Sequence, residues 1–213
     1  MTAGRGRTGR PPLTEERKAE TRLDIARAAV DLFVRQGVAA TTGEQIGQAV
    51  GVSARTVWRY FPSKESCVRP LFTAGIDAIA ECLRQWRPGQ DLTAAFDRAF
   101  APPGTHWTAG PERATLGALV RLTRTEPGLR AIWLQTYDEA EPAFAHALAE
   151  RAGLPADDLR PAIQAAMFNA ALRAAVEHYA WTTSDPHTAP ATAESHLTAA
   201  MRTALEVVTE GLR

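Results

Sequence analysis

Residues 42–61 read Thr42-Gly43-Glu44-Gln45-Ile46-Gly47-Gln48-Ala49-Val50-Gly51-Val52-Ser53-Ala54-Arg55-Thr56-Val57-Trp58-Arg59-Tyr60-Phe61. Gln45 follows Thr42 by three, the spacing of a capping box, so a helix is predicted to start at Thr42. Ile46, Ala49 and Val50 give it an apolar face, and Gly51 breaks it. Ser53 caps a second short helix, Ala54 to Phe61, with Val57 and Phe61 inward. Two short helices joined by a glycine turn describe a helix-turn-helix, whose second helix enters the DNA major groove. A purely structural helical hairpin has the same outline, so the outward residues must decide.

Those residues are Arg55, Trp58, Arg59 and Tyr60. Arginine makes a bidentate contact to guanine, the commonest base-specific contact. The Tyr60 hydroxyl and Trp58 indole N–H suit phosphate, and the indole face suits sugar and thymine methyls. Thr42 and Ser53 stand at helix N-termini, where the dipole and free N–H groups favour a phosphate oxygen. After Pro62-Ser63, a helix is predicted from about Lys64 to Trp86. A cation in its first turn opposes the dipole, so Lys64 is expected to clamp a phosphate.

Upstream, residues 1–13 hold Arg5, Arg7 and Arg10 among glycines and prolines. They read as a basic arm, either solvated or inserted into a minor groove. A helix follows from Thr14, with Ile25, Ala29, Leu32 and Phe33 on one face, and stops at Gly37. Downstream every segment repeats at helical spacing: Leu92–Phe96–Phe100, Leu116 to Leu122, Pro127 to Gly153, Leu159 to Thr182, and Leu197–Met201–Leu205–Val208–Leu212. No alternating strand pattern stands out. The expected fold is all-α with about nine helices: an arm at 1–13, a three-helix DNA-binding domain at 14–70, and an antiparallel helical bundle at 71–213.

Charge agrees with this division. The 213 residues have a formal net charge of zero, but residues 1–72 carry 12 Lys+Arg against 7 Asp+Glu, and the remainder is acidic. The basic third suits an anionic partner. Two cysteines make no disulfide framework or zinc pattern, and no run is long enough for a membrane span or secretory signal. A cytoplasmic protein without cofactor is expected. His106, His146, His178, His187 and His196 lack metal-ligand spacing, and no nucleophile elbow, phosphate loop or paired-carboxylate site is present, so an enzyme is not expected.

The run Ala40-Thr41-Thr42…Ile46…Val50-Gly51-Val52-Ser53…Thr56-Val57-Trp58-Arg59-Tyr60-Phe61-Pro62-Ser63-Lys64-Glu65 resembles the DNA-binding signature of the TetR family of bacterial transcriptional regulators. Trp58 departs from the family's usual Tyr or Phe. The resemblance implies a DNA-contacting set of Thr42, Gly43, Ser53, Ala54, Arg55, Thr56, Trp58, Arg59, Tyr60 and Lys64. It also implies a C-terminal domain for ligand binding and dimerisation. Residues 127–181 resemble the subgroup of the mycofactocin regulator, which implies an acyl-CoA thioester as ligand.

Within that domain Phe96, Phe100, Trp107, Leu119, Leu122, Trp133, Tyr137, Met167 and Phe168 are core or the lining of an apolar cavity. Asn169, Arg173 and Glu177 step by four: a hydrated stripe with an Arg173–Glu177 pair, or a polar lining in which Asn169 and Arg173 orient a ligand's anionic end. Ala162, Ala165, Ala166, Ala170 and Ala174, with Leu197, Met201, Leu205 and Val208, are either a four-helix homodimer interface or packing within one subunit. The expected function is a repressor that binds a near-palindromic double-stranded DNA operator as a homodimer. A small, largely apolar effector, fatty acyl or aromatic, would release it. The alternative is a sequence-tolerant DNA-organising protein without a ligand.

Overall fold

The computed structural model describes residues 14–100, 111–182 and 190–211, the side chains of 99–100, 111–114, 190–195 and 211 excepted. The arm, with Arg5, Arg7 and Arg10, and Trp107 lie outside these residues, as does the Phe100 side chain.

Nine α-helices and one 3₁₀ turn account for the described fold, and no strand occurs among these residues. They are α1 (Glu15–Gln36), α2 (Gly43–Ala49), α3 (Ala54–Tyr60), the turn Glu65–Val68, α4 (Arg69–Gln85), α5 (Leu92–Phe100), α6 (Pro111–Leu122), α7 (Pro127–Ala152), α8 (Leu159–Thr182) and α9 (Pro190–Gly211). The cap at Thr14 forms, its side chain accepting from the Arg17 N–H.

The expected helix from Lys64 is interrupted. Pro70 has no N–H, and its ring would collide with the carbonyl four residues earlier in a continuous helix. The chain therefore makes the turn Glu65–Val68 and restarts at Arg69, with Pro70 in the first turn of α4, where a missing N–H costs nothing.

Ile25, Phe33, Ile46, Val57, Cys67 and Phe72 bury together in the N-terminal part. The same apolar cluster continues through Leu119, Leu129, Phe144, Leu172 and Leu205. The N-terminal helices are thus not suspended on a linker: α1 packs on α4 and α6, and the 3₁₀ turn packs on α7. In the bundle, α8 packs on α6, α7 and α9, and α7 on α4. Truncating a fully buried residue such as Phe72 to alanine would cost about 3–5 kcal/mol.

Candidate nucleic-acid interface and effector core

Both halves of the capping box at Thr42 are made. Thr42 Oγ1 accepts from the Gln45 N–H at 3.3 Å, and the Thr42 N–H donates to Gln45 Oε1 at 2.9 Å. Gln36 reaches from α1 to the same Gln45 oxygen at 2.9 Å, tying the start of α2 to the end of α1. Ser53 caps α3 by accepting from the Thr56 N–H, and the Ser53 and Thr56 hydroxyls bond at 3.1 Å. Val57 is the residue that α3 turns fully inward. Arg55, Trp58 and Arg59 point to solvent, with Ala54 and Thr56 half-buried between them. Together with Glu44 these five line a shallow groove of about 630 Å³.

Gly43 belongs to this surface for a steric reason. A Cβ there would overlap the Trp58 ring atoms, so the indole lies directly over the first turn of α2. That contact fixes the orientation of an otherwise exposed tryptophan. It also places one face of the ring against protein, leaving the rest of the indole for an external partner.

Lys64 corrects an expectation. Its ammonium donates to the carbonyls of Val38 (2.5 Å), Ala39 (3.3 Å) and Thr41 (3.2 Å), all in the loop before α2. Three donors meet three acceptors, so the residue has a structural role as a clamp on that loop, and no phosphate is needed to explain it. Tyr60 is half-buried against the core. Its ring carries the guanidiniums of Arg59 at 5.1 Å and of Arg22 at 5.5 Å. Arg22, on α1, is a residue that spacing along the chain does not single out.

In the bundle, Phe96, Leu119, Trp133, Tyr137 and Phe168 are buried in the common core, and Leu122 is half-buried against it. Trp133 packs between Phe72, tilted at 4.7 Å between ring centroids, and Tyr137, edge-on at 4.6 Å. Met167 does not join them. It is 40% exposed, because it lies one helical step from the buried Phe168. Arg173 is not free to meet an anion, since it pairs with Glu177.

Glu177 itself is the centre of this region. It is only 6% exposed, and its Oε1 accepts from the Trp133 indole N–H at 2.8 Å, from Arg173 at 3.3 Å and from Arg130. Arg130 also lies over the Trp181 ring, as does Arg124, at 5.6 and 5.7 Å. Two guanidiniums therefore gather around one buried carboxylate between α7 and α8, and a third, that of Arg124, lies over the neighbouring Trp181 ring. Burial, with the Glu177 charge nearby, pushes the Tyr137 hydroxyl well above its ordinary range, so it stays protonated. Asn169 donates to the Tyr137 carbonyl (2.9 Å) and to Glu141 (3.1 Å), while its buried Oδ1 has no partner among the described residues.

The α9 stripe Leu197, Met201, Leu205 and Val208 is buried within the subunit, as is Ala165, so that part of the expected interface is internal core. The outward faces are different residues. Ala162, Ala166, Ala170 and Ala174 of α8 are exposed, with Leu159 and Ile163 also open. A groove of about 690 Å³ runs between α8 and α9, lined by Ala171, Ala174, His178, Ala200, Ala204 and Val207 among others.

A path joins these two regions. Gly128, in the first turn of α7, packs so closely on Glu65 that a Cβ would lie 2.8 Å from Glu65 Cγ. Arg69 of α4 also bonds Gln135 at 2.8 Å and Glu139 at 2.5 Å on α7. No three His, Cys, Asp or Glu side chains converge as a metal site among the described residues, and no described helix is long and apolar enough to cross a membrane.

Residues 25–71 match the family model "Bacterial regulatory proteins, tetR family", and residues 90–213 match "MftR C-terminal domain". The HTH-type transcriptional regulator TcmR of Streptomyces glaucescens is 34% identical over 165 residues, covering 75% of this chain and 73% of that protein. Among solved structures, Salmonella enterica GusR superposes with a TM-score of 0.55 at 19% identity, covering 92% of this chain and 97% of that one. Thermus thermophilus FadR, solved with lauroyl-CoA, gives 0.51 at 21% identity, covering 90% and 95%. Two family models that between them span most of the chain agree with the exposed recognition helix: the protein belongs to the TetR family of bacterial transcriptional regulators.

Proposed function

We propose that the chain is a repressor that acts in the cytoplasm, binds a near-palindromic operator as a dimer and is released by a small, largely apolar effector. The observation that carries the DNA reading is the outer face of α3. There Arg55, Trp58 and Arg59 stand in solvent around a groove, with no carboxylate paired to either arginine among the described residues. Exposed arginines that forgo ion pairs on a short helix suit base edges and phosphates. The 14–70 segment serves as the reading head and 71–213 as the effector and assembly part. The α8–α9 groove, largely lined by alanine, allows close approach of two further helices, which supports a four-helix interface across a two-fold axis.

The effector reading rests on Trp133, Tyr137 and Phe168 with the unpartnered Asn169 oxygen. They suit an apolar body with one hydrogen-bond donor. Arg124, over the Trp181 ring and without an ion pair among the described residues, supplies positive charge for an anionic end. The lauroyl-CoA bound by Thermus thermophilus FadR, which shares the fold, makes acyl thioesters the first compounds to try, followed by aromatic acids.

Selection of duplexes from a random pool tests the reading, followed by competition against bulk DNA. A palindromic consensus bound at least a thousandfold above random duplex supports a specific regulator. Comparable binding to all duplexes would instead favour a DNA-organising protein. Compounds from the panel should both raise the melting temperature and release the selected operator.

A further inference from the structure

Among the described residues Arg17 and Arg22 are the cations of α1 without an ion pair, and of these two Arg22 lies beside an aromatic ring. Lys18 bonds Glu15 at 2.6 Å, Arg27 meets Asp24 at 3.4 Å, and Arg35 meets Asp31 at 2.5 Å. Arg22 is exposed and has no carboxylate within ion-pairing distance among the described residues. Glu15 feels it only weakly, behind its direct bond to Lys18. Instead the Arg22 guanidinium carbon lies 5.5 Å from the centroid of the Tyr60 ring, and that of Arg59 lies 5.1 Å from the same centroid.

One aromatic ring thus holds two cations from different helices. Tyr60 can do so because it is half-buried against the core, which fixes the ring in place. Each guanidinium is attracted to the ring, yet the two repel one another, and among the described residues no carboxylate close enough to pair with either offsets that repulsion, Glu15 acting on Arg22 only weakly. An external anion within reach of both would. The location narrows its identity. Tyr60 is the last residue of α3, and the face that precedes it lines the groove of Arg55 and Trp58. In helix-turn-helix domains docked on duplex DNA, the C-terminal end of the recognition helix can meet the sugar–phosphate backbone that borders the major groove.

We infer that Arg22, held with Arg59 on the Tyr60 ring, contacts a backbone phosphate of duplex DNA and extends the interface from the recognition helix onto α1. The inference rests on α3 being the recognition helix. Arg22 contributes affinity and register but no sequence preference, because phosphates are the same at every step. Arg59 shares the phosphate, which leaves Arg55 and Trp58 to read bases.

The test uses the full chain with an operator recovered from a random pool, and random duplex as the second ligand, each titrated over a range of KCl. Arg22→Gln should weaken both by the same factor, about tenfold, and lower the salt slope by about one per subunit. Arg22→Lys should restore the slope but only part of the affinity, since an ammonium stacks less well and lacks the planar fork. Tyr60→Leu should reproduce the Arg22→Gln loss and make Arg22→Gln silent in its background. Unchanged affinity and slope in Arg22→Gln would overturn the inference, as would losses that add in the Arg22→Gln/Tyr60→Leu pair. Melting temperatures identify any variant whose loss comes from misfolding, and a misfolded Tyr60→Leu leaves Arg22→Gln itself decisive. A parent protein that selects no sequence at all would defeat the recognition-helix reading instead, so the two failures are separable.

Discussion

Glu177 offers a quantitative test of how the bundle is held. Its carboxylate is nearly enclosed and accepts from the Trp133 indole, Arg130 and Arg173. Both arginine side chains keep 30% of their surface in water. Glu177→Gln keeps the shape and an acceptor for the indole, but removes the charge facing two guanidiniums. A fully buried pair broken from one side costs about 3–5 kcal/mol. Here solvent screens the orphaned arginines, so the loss should be nearer 1.5–3 kcal/mol. Glu177→Ala additionally leaves the Trp133 N–H unsatisfied and opens a void. Its cost should reach about 3–5 kcal/mol. Urea unfolding at matched protein concentrations measures both, since the proposed dimer would make the midpoint depend on concentration. A Glu177→Gln variant within about 0.5 kcal/mol of the parent, the range of ordinary surface changes, would refute the hub. So would a Glu177→Ala variant no worse than Glu177→Gln, because the indole bond would then contribute nothing.

Lys64→Met should lower thermal stability by about 1–3 kcal/mol, since three loop carbonyls lose their donor. An unaltered stability with a flatter salt dependence of DNA binding would return Lys64 to phosphate contact. Val207→Glu, on the open groove face, should give folded monomers by sedimentation, whereas Met201→Glu, 2% exposed, should unfold the chain; the reverse pattern would reject the assigned faces. Burial raises the Cys67 thiol from 9.0 to about 12 and Cys82 to about 11. The unfolded thiols ionise first, so the stability they contribute is complete below pH 9 and declines as pH rises through the folded values. Native protein should resist thiol alkylation at pH 8, and unfolding midpoints should fall above pH 9.

The helices were legible because apolar residues recur at helical spacing, and the caps at Thr14, Thr42 and Ser53 announce their starts. What escaped is non-local. Lys64 meets carbonyls 23 to 26 residues earlier, and Arg22 meets a ring 38 residues later, distances over which spacing carries no signal. Pro70 was a readable stop inside the long helix, and the interrupted start of α4 follows from it. On α8 the many alanines blur the apolar phase. Met167 and Phe168 look equivalent in sequence, yet their side chains are about 100° apart around the axis, enough to put one in solvent and the other in the core. The stripe on α9 was read correctly as apolar, but an apolar stripe does not say whether its partner is the same chain or another.

The indole of Trp58 resting where a Cβ of residue 43 would stand also constrains the order in which this interface can diverge. A lineage that first exchanges Trp58 for a smaller side chain frees position 43, which can then accept alanine or serine. The opposite order passes through an overlap of ring and Cβ that either tilts the recognition helix or ejects the indole. While the tryptophan keeps this position, any side chain at 43 must displace it. Changes to this surface that involve both residues are therefore reached through position 58 first, with position 43 following.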